Sequence, residues 1–253
     1  MDFFTFGPIA AILDGAYRFV TALSTTVEPV AGTAAGLVAV VILTMLVRAL
    51  LIPVGRSQVR AEFTRRRLAP KLAELQKKHG KDRETLTRKT MELYQTEKAS
   101  PFAGFLPLLL QIPVISLVYA LFTHTQIAGH ANALLAEQVI GAPLGTSFVG
   151  LAGAVGSVWP SILVYLVVLV LIAAVTTVSR RVLALPQPAG AMPNGLVKAL
   201  SFLPYVTVVF AAFVPLAAAV YILTSTAWTV AERFTLRRML DPERGARSRP
   251  AIG

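Results

Sequence analysis

The sequence predicts an all-α polytopic membrane protein, on three observations. Hydrophobic residues make up 55% of the 253, while only 15% are charged. An ordinary soluble domain carries roughly 25% charged residues, and one soluble core of this size cannot bury so much apolar surface. Several runs reach the length of about 20 apolar residues that a hydrocarbon layer roughly 30 Å thick requires of a helix. Lastly, the net charge of +11 is concentrated in a few segments rather than spread along the chain.

Residues 1–31 alternate apolar and polar positions at helical spacing. Phe3, Phe4, Phe6, Ile9, Leu13, Tyr17, Val20 and Leu23 are interrupted by Asp14, Arg18 and Glu28. This pattern predicts an N-terminal amphipathic helix lying in the membrane interface; a loosely ordered tail is the alternative. The opening residues MDFFTFGP lack a basic region, so no cleavable signal peptide is expected. Cysteine is missing altogether, which excludes disulfides and thiolate metal sites.

The first span is drawn over residues 32–55. A polar, basic segment at 56–103 follows. Its first half carries the stripe Val59, Phe63, Leu68, Leu72 and Leu75, and its second half Leu86, Leu93 and Tyr94. Gly80 and Asp82 suit a helix end and a helix cap. The segment therefore reads as an antiparallel helical hairpin, expected to be a mobile arm with little apolar surface left for the spans. A kink is expected at Pro70.

The second span covers 104–122, a loop without Lys or Arg covers 123–158, and the third span covers 159–179. A Pro/Gly-rich connector occupies 180–198. The apolar stretch after it would reach roughly 50 Å as one helix, too long for one crossing. Pro215 divides it into a fourth span at 199–213 and a fifth at 216–232, leaving a basic tail at 233–253.

With five spans, 22 of the 24 Lys and Arg residues fall on one side of the membrane. Basic residues are retained on the cytoplasmic face. The expected topology is therefore N-terminus outside and C-terminus cytoplasmic. The two exceptions are Arg18 and Arg48.

Arg48 carries the most information. It sits well inside the first span, where an arginine facing lipid costs at least about 2.5–3.5 kcal/mol. No Asp or Glu lies within the membrane interior of the spans to pair with it; the nearest acidic candidate, Glu232, is at the cytoplasmic end of the last span. Arg48 either snorkels to the headgroups or projects into a hydrated, protein-lined groove. Thr44, one turn away on the same face, Gln111 in the second span, and Tyr221 and Ser225 in the fifth are candidates to line that groove. Each is also explicable as a hydrogen-bonding contact between helices. No catalytic motif, phosphate loop or metal-ligand spacing is present, so neither enzyme activity nor a cofactor is expected.

The runs LTMLVRALLIPVGRSQ and LAPKLAELQKKHGKDRETLTRKTMELYQTEKASPFAGFLPLLLQIPVISLVYALF, with LSFLPYVTVVFAAFVPLAAAVYILTSTAW near the end, closely resemble the YidC family of bacterial membrane protein insertases. The resemblance spans about residues 8–238. It implies five transmembrane helices around a polar groove that is open to the cytoplasm. It places Arg48 on the groove arginine, Thr44 and Tyr221 on positions that meet the incoming chain, and Gln111 on the glutamine of the second core span. Departures are Ser100 and Phe105 in the turn that enters the second span, and Leu216-Ala217 after Pro215. The implied partners are nascent membrane protein clients, the ribosome and the secretion translocon, with no DNA, while the excess basic charge of the hairpin favours anionic lipid headgroups. The implied location is the bacterial plasma membrane. A small-anion transporter using Arg48 and a membrane scaffold built on the hairpin are the competing classes. The lack of an internal repeat speaks against the first.

Overall fold

A computed structural model describes residues 7–100, 106–153, 159–183 and 202–240. The expected connector beyond Leu183, the tail beyond Leu240 and the Gln111 side chain lie outside the described residues. Among the described residues the architecture is α-helical, with four two-residue strands confined to one loop.

Helix α1 (Gly7–Ala31) ends at Gly32, whose φ of +53° no β-carbon favours, and a short 3-10 turn leads into α2 (Ala35–Leu50). Leu13, Val20 and Ser24 form the buried edge of α1, which packs on α2 and touches the helix after the hairpin. Among the described residues, the stretch Gly7–Leu50 is one of two that are long and apolar enough to cross a membrane; the other is α7, Trp159–Leu183.

The first span was expected to continue to residue 55, but the helix breaks at Leu51, and α3 (Ile52–His79) begins there. Pro53 explains the break, because its ring rejects the carbonyl four residues earlier yet suits the first turn of a helix. Helix α3 runs on through Pro70. At its far end a β-carbon on Gly80 would sit 2.5 Å from the Gln76 carbonyl oxygen, so the tight turn needs glycine. The Asp82 carboxylate then caps α4 (Arg83–Thr96), accepting from the Glu84 and Thr85 amides at 3.1 Å each. Arg67 and Lys71 on α3 both pair with Glu97, closing the hairpin.

The hairpin is not free of the packed body at its root. Val59 is fully buried, and α3 packs on the last helix. Gly55 allows the approach: a β-carbon there would lie 1.9 Å from Glu232 Oε1. Glu62, 8% exposed, pairs with Arg66 at 2.8 Å on its own helix and with Arg237 at 2.5 Å across the interface. Arg237 also donates to the carbonyls of Val182 at 2.8 Å and Leu183 at 3.1 Å, so one guanidinium joins three helices.

Helix α5 (Leu106–Leu121) leads into a structured loop. Strands β1 (Gln126–Ile127) and β2 (His130–Ala131) pair around Ala128-Gly129, and β3 (Gln138–Val139) and β4 (Ala142–Pro143) around Ile140-Gly141. All four turn residues have positive φ, the geometry of a two-residue hairpin that matches strand twist. The short α6 (Phe148–Ala152) follows.

Helix α8 (Val206–Ala211) and α9 (Leu216–Leu240) are separated by a turn that carries Pro215. The first seven residues of α9, Leu216 to Ile222, are all buried. Ala217, Ala218 and Ala219 keep that surface slim, which lets α9 pack on α7, α2, α5 and α8 as the hub of the core.

Candidate functional site

The two ends of the helix bundle are finished differently, and the site lies towards one of them. At the loop end, the first amides of α9 would be unsatisfied, because a helix N-terminus has no internal acceptors. The loop supplies them: Leu216 N donates to Thr146 O at 2.9 Å and Ala217 N to Leu144 O at 3.1 Å. The Tyr165 hydroxyl on α7 lies 2.9 Å from Pro143 O and 2.6 Å from Thr146 O, and donates to one at a time. Asn132, 7% exposed, donates to the carbonyls of Leu121 at 2.6 Å and His124 at 2.8 Å, and accepts from Leu134 N at 3.1 Å. Ser24 donates to Glu137 at 2.7 Å, tying α1 to the same loop.

Towards the hairpin end, Arg48 lies in the last turn of α2. Its Nε donates to Ser225 Oγ on α9 at 2.9 Å, and its Nη2 turns to the same oxygen. Above this pair lies a cavity of about 480 Å³, lined by Arg48, Ile115 from α5, Val206, Thr207 and Phe210 from α8, and Ile222, Ser225, Thr226 and Thr229 from α9. Thr226 and Thr229 donate their hydroxyl hydrogens to Ile222 O and Ser225 O of their own helix, at 2.7 and 2.8 Å. Their oxygens keep lone pairs for a hydrogen-bond donor. The cavity is therefore mostly apolar, through Ile115, Val206, Phe210 and Ile222, with one cation, Arg48, and the hydroxyls of Thr207, Ser225, Thr226 and Thr229 set into it.

Of the residues named from the sequence, Arg48 and Ser225 meet at this cavity. Thr44 and Tyr221 do not line it. Thr44 is 1% exposed and its hydroxyl donates to Val40 O at 2.6 Å; Tyr221 is 2% exposed, one turn before Ser225. Both are buried in the helical core. Thr207 and Thr229 were missed from the sequence, and only the 225–229 spacing on one helical face signals the latter. Glu232, the acidic side chain nearest in sequence to Ser225, accepts from Trp228 Nε1 at 3.1 Å through Oε2. Among the described residues, no three His, Asp or Glu side chains gather as a metal site would require.

Two stretches of membrane-crossing length among the described residues are consistent with a helical membrane protein, and comparison with known proteins narrows the class. The sequence signature of the 60Kd inner membrane protein family matches residues 28–243. The chain belongs to this family. It is 41% identical over 116 residues to the membrane protein insertase YidC of Allorhizobium ampelinum, covering 46% of this chain and 19% of that protein. Over 97 residues it is 38% identical to the membrane protein insertase YidC of Shewanella halifaxensis, covering 38% of this chain and 18% of that one. Over 82 residues it is 42% identical to the protein of the same name from Anaeromyxobacter sp., covering 32% and 15%. The matched stretch is thus less than a fifth of each relative's length.

Proposed function

We propose that this chain is a bacterial membrane protein insertase. It moves hydrophilic segments of client proteins across the membrane through the Arg48 cavity and releases their apolar helices into lipid. The observation that carries the reading is the pairing of Arg48 with Ser225 in a cavity whose lining is otherwise mostly apolar. Such a cavity suits a client whose polar flank and apolar helix arrive together.

In this reading five spans surround the cavity: α2, α5, α7, the segment ending in α8, and α9. The hairpin end faces the cytoplasm and the loop end faces outward. The concentration of basic residues in the hairpin and tail supports that orientation. The loop that caps α9 closes the outer end, so a polar segment enters from the cytoplasm and waits half-way across. Arg48 holds water and attracts acidic client residues there. Burial of the client helix in lipid supplies the driving force, and the membrane potential draws acidic segments outward. No nucleotide chemistry enters the scheme. The hairpin receives clients and faces anionic lipid, and the ribosome and secretion translocon are its expected larger partners.

The test is reconstitution of the full chain in liposomes with a labelled single-span client, and with small-anion flux recorded in parallel. Protease-protected client without anion flux is the expected result. Flux without insertion would replace the reading with an anion transporter. Neither activity would leave a scaffold.

A further inference from the structure

A second cavity lies in the root of the hairpin, away from the Arg48 site. It has a volume of about 180 Å³ and is lined by Arg60, Thr64 and Arg65 of α3 and by Tyr94, Lys98 and Ser100 at the end of α4. We propose that this pocket binds the phosphate of an anionic phospholipid headgroup and so fixes the hairpin root against the membrane surface.

The local fold builds the pocket. Lys98 takes a φ of +49°, which ends α4 and turns the chain so that Ala99 N donates to Tyr94 O at 2.9 Å. That turn brings Lys98 and Ser100 back over Arg60 and Thr64. The charge balance is strongly positive. The one carboxylate of the pocket, Glu97, already pairs with Arg67 and Lys71. Arg60 and Lys98 are exposed cations beside hydroxyl groups, a donor set that fits a phosphate.

Position selects the lipid as the source of that phosphate. Arg60 follows Ile52, where α3 leaves the apolar α2, by eight residues, or about 12 Å of helix. On the other arm, Ser100 precedes the apolar α5 by a few residues. Both arms therefore hold the pocket at headgroup depth. This inference rests on the reading of α2 and α5 as spans, but its readout is binding, so it can fail while insertion stands.

The full chain in an uncharged detergent is titrated with dioctanoyl phosphatidylglycerol, dioctanoyl phosphatidylcholine, inorganic phosphate and a short oligoribonucleotide. The variants are R60Q/K98N, R60K/K98R and, as an equal charge loss at the hairpin tip, K77Q/K78Q. Asparagine tolerates the left-handed backbone at position 98, and matched melting curves establish that each variant is folded. Phosphatidylglycerol is expected to bind tightest of the four. R60Q/K98N should weaken it on the order of tenfold, as loss of charge-assisted hydrogen bonds does. R60K/K98R and K77Q/K78Q should leave it unchanged. Equal weakening by the root and tip pairs would mean diffuse charge rather than a site and would overturn the proposal. Equal or tighter binding of inorganic phosphate, phosphatidylcholine or the oligoribonucleotide would also overturn it.

Discussion

The loop end and the hairpin end of this bundle are held by different physics. At the loop end, backbone carbonyls cap α9, the Asn132 amide bonds two carbonyls and an amide, and Phe122, Ile127, Leu134 and Leu144 are almost fully buried around them. At the hairpin end, the cross-links are charged: Glu62 with Arg237, Arg237 with the end of α7, and Glu97 with Arg67 and Lys71. Buried backbone and amide hydrogen bonds respond little to salt, whereas the exposed pairs of Glu97 with Arg67 and Lys71 are screened, and the more buried Glu62–Arg237 pair less so. The hairpin end is therefore the one expected to loosen first, and the loop end the one expected to stay closed.

The sharpest way to break the comparison is at Asn132. Asn132→Leu removes three hydrogen bonds, two of them buried, and orphans their partners. It should cost about 3 kcal/mol, seen as a lower melting temperature in detergent that high salt does not alter. A salt-dependent loss would contradict the division between the ends.

Glu62→Gln should come next. It leaves Arg237 without its carboxylate, but Arg237 keeps the Val182 and Leu183 carbonyls, and its side chain is 15% exposed. About 1–2 kcal/mol is expected after allowing for that exposure. Amide exchange should quicken in the root of α3 and the end of α9 while the loop stays protected. Faster exchange in β1–β4 would show that the two ends are one cooperative unit.

The smallest effect concerns acid. The hydrogen bond from Lys71, helped by the nearby charges of Lys71 and Arg67, holds the Glu97 carboxyl below its ordinary value of 4.5. The Thr85 hydroxyl and amide hold Asp82 below 3.8 in the same way. A carboxyl lowered by folding stabilises the fold above its unfolded value, and that contribution is lost as pH falls through the folded value. Hairpin protection should therefore be flat from neutral pH down to about 5 and fall below 4, well before the loop end responds. Loss of hairpin protection between pH 7 and 5 would contradict the assignment.

Much of this was legible in the sequence, for physical reasons. Helical periodicity and the Asp82 cap mark the hairpin locally, and Arg48 announces itself because an arginine among twenty apolar residues needs a reason. Family membership follows from motifs along most of the chain. What the sequence hid is long-range or short-lived in pattern. Two-residue strands are too brief to show alternation, so the hairpins at Ala128-Gly129 and Ile140-Gly141 were invisible, although a glycine in second place was a usable hint. The docking of the hairpin root depends on Gly55 meeting Glu232 and on Glu62 meeting Arg237, contacts between residues more than 170 positions apart. At the site, helical spacing put Thr44 on the Arg48 face, but burial of its hydroxyl against Val40 takes it out of the cavity.

The central claim is that a hydrated positive charge at position 48 moves acidic client segments. The direct measurement is insertion of matched single-span clients, one with an acidic and one with a neutral outer segment, by wild type, Arg48→Ala and Arg48→Lys at equal abundance in liposomes. Arg48→Ala should lose on the order of tenfold with the acidic client, as removal of a partly buried charged group does, and much less with the neutral one. Arg48→Lys should keep most of the activity, since charge and water rather than a planar fork are required. Equal insertion of the acidic client by wild type and Arg48→Ala would contradict the account.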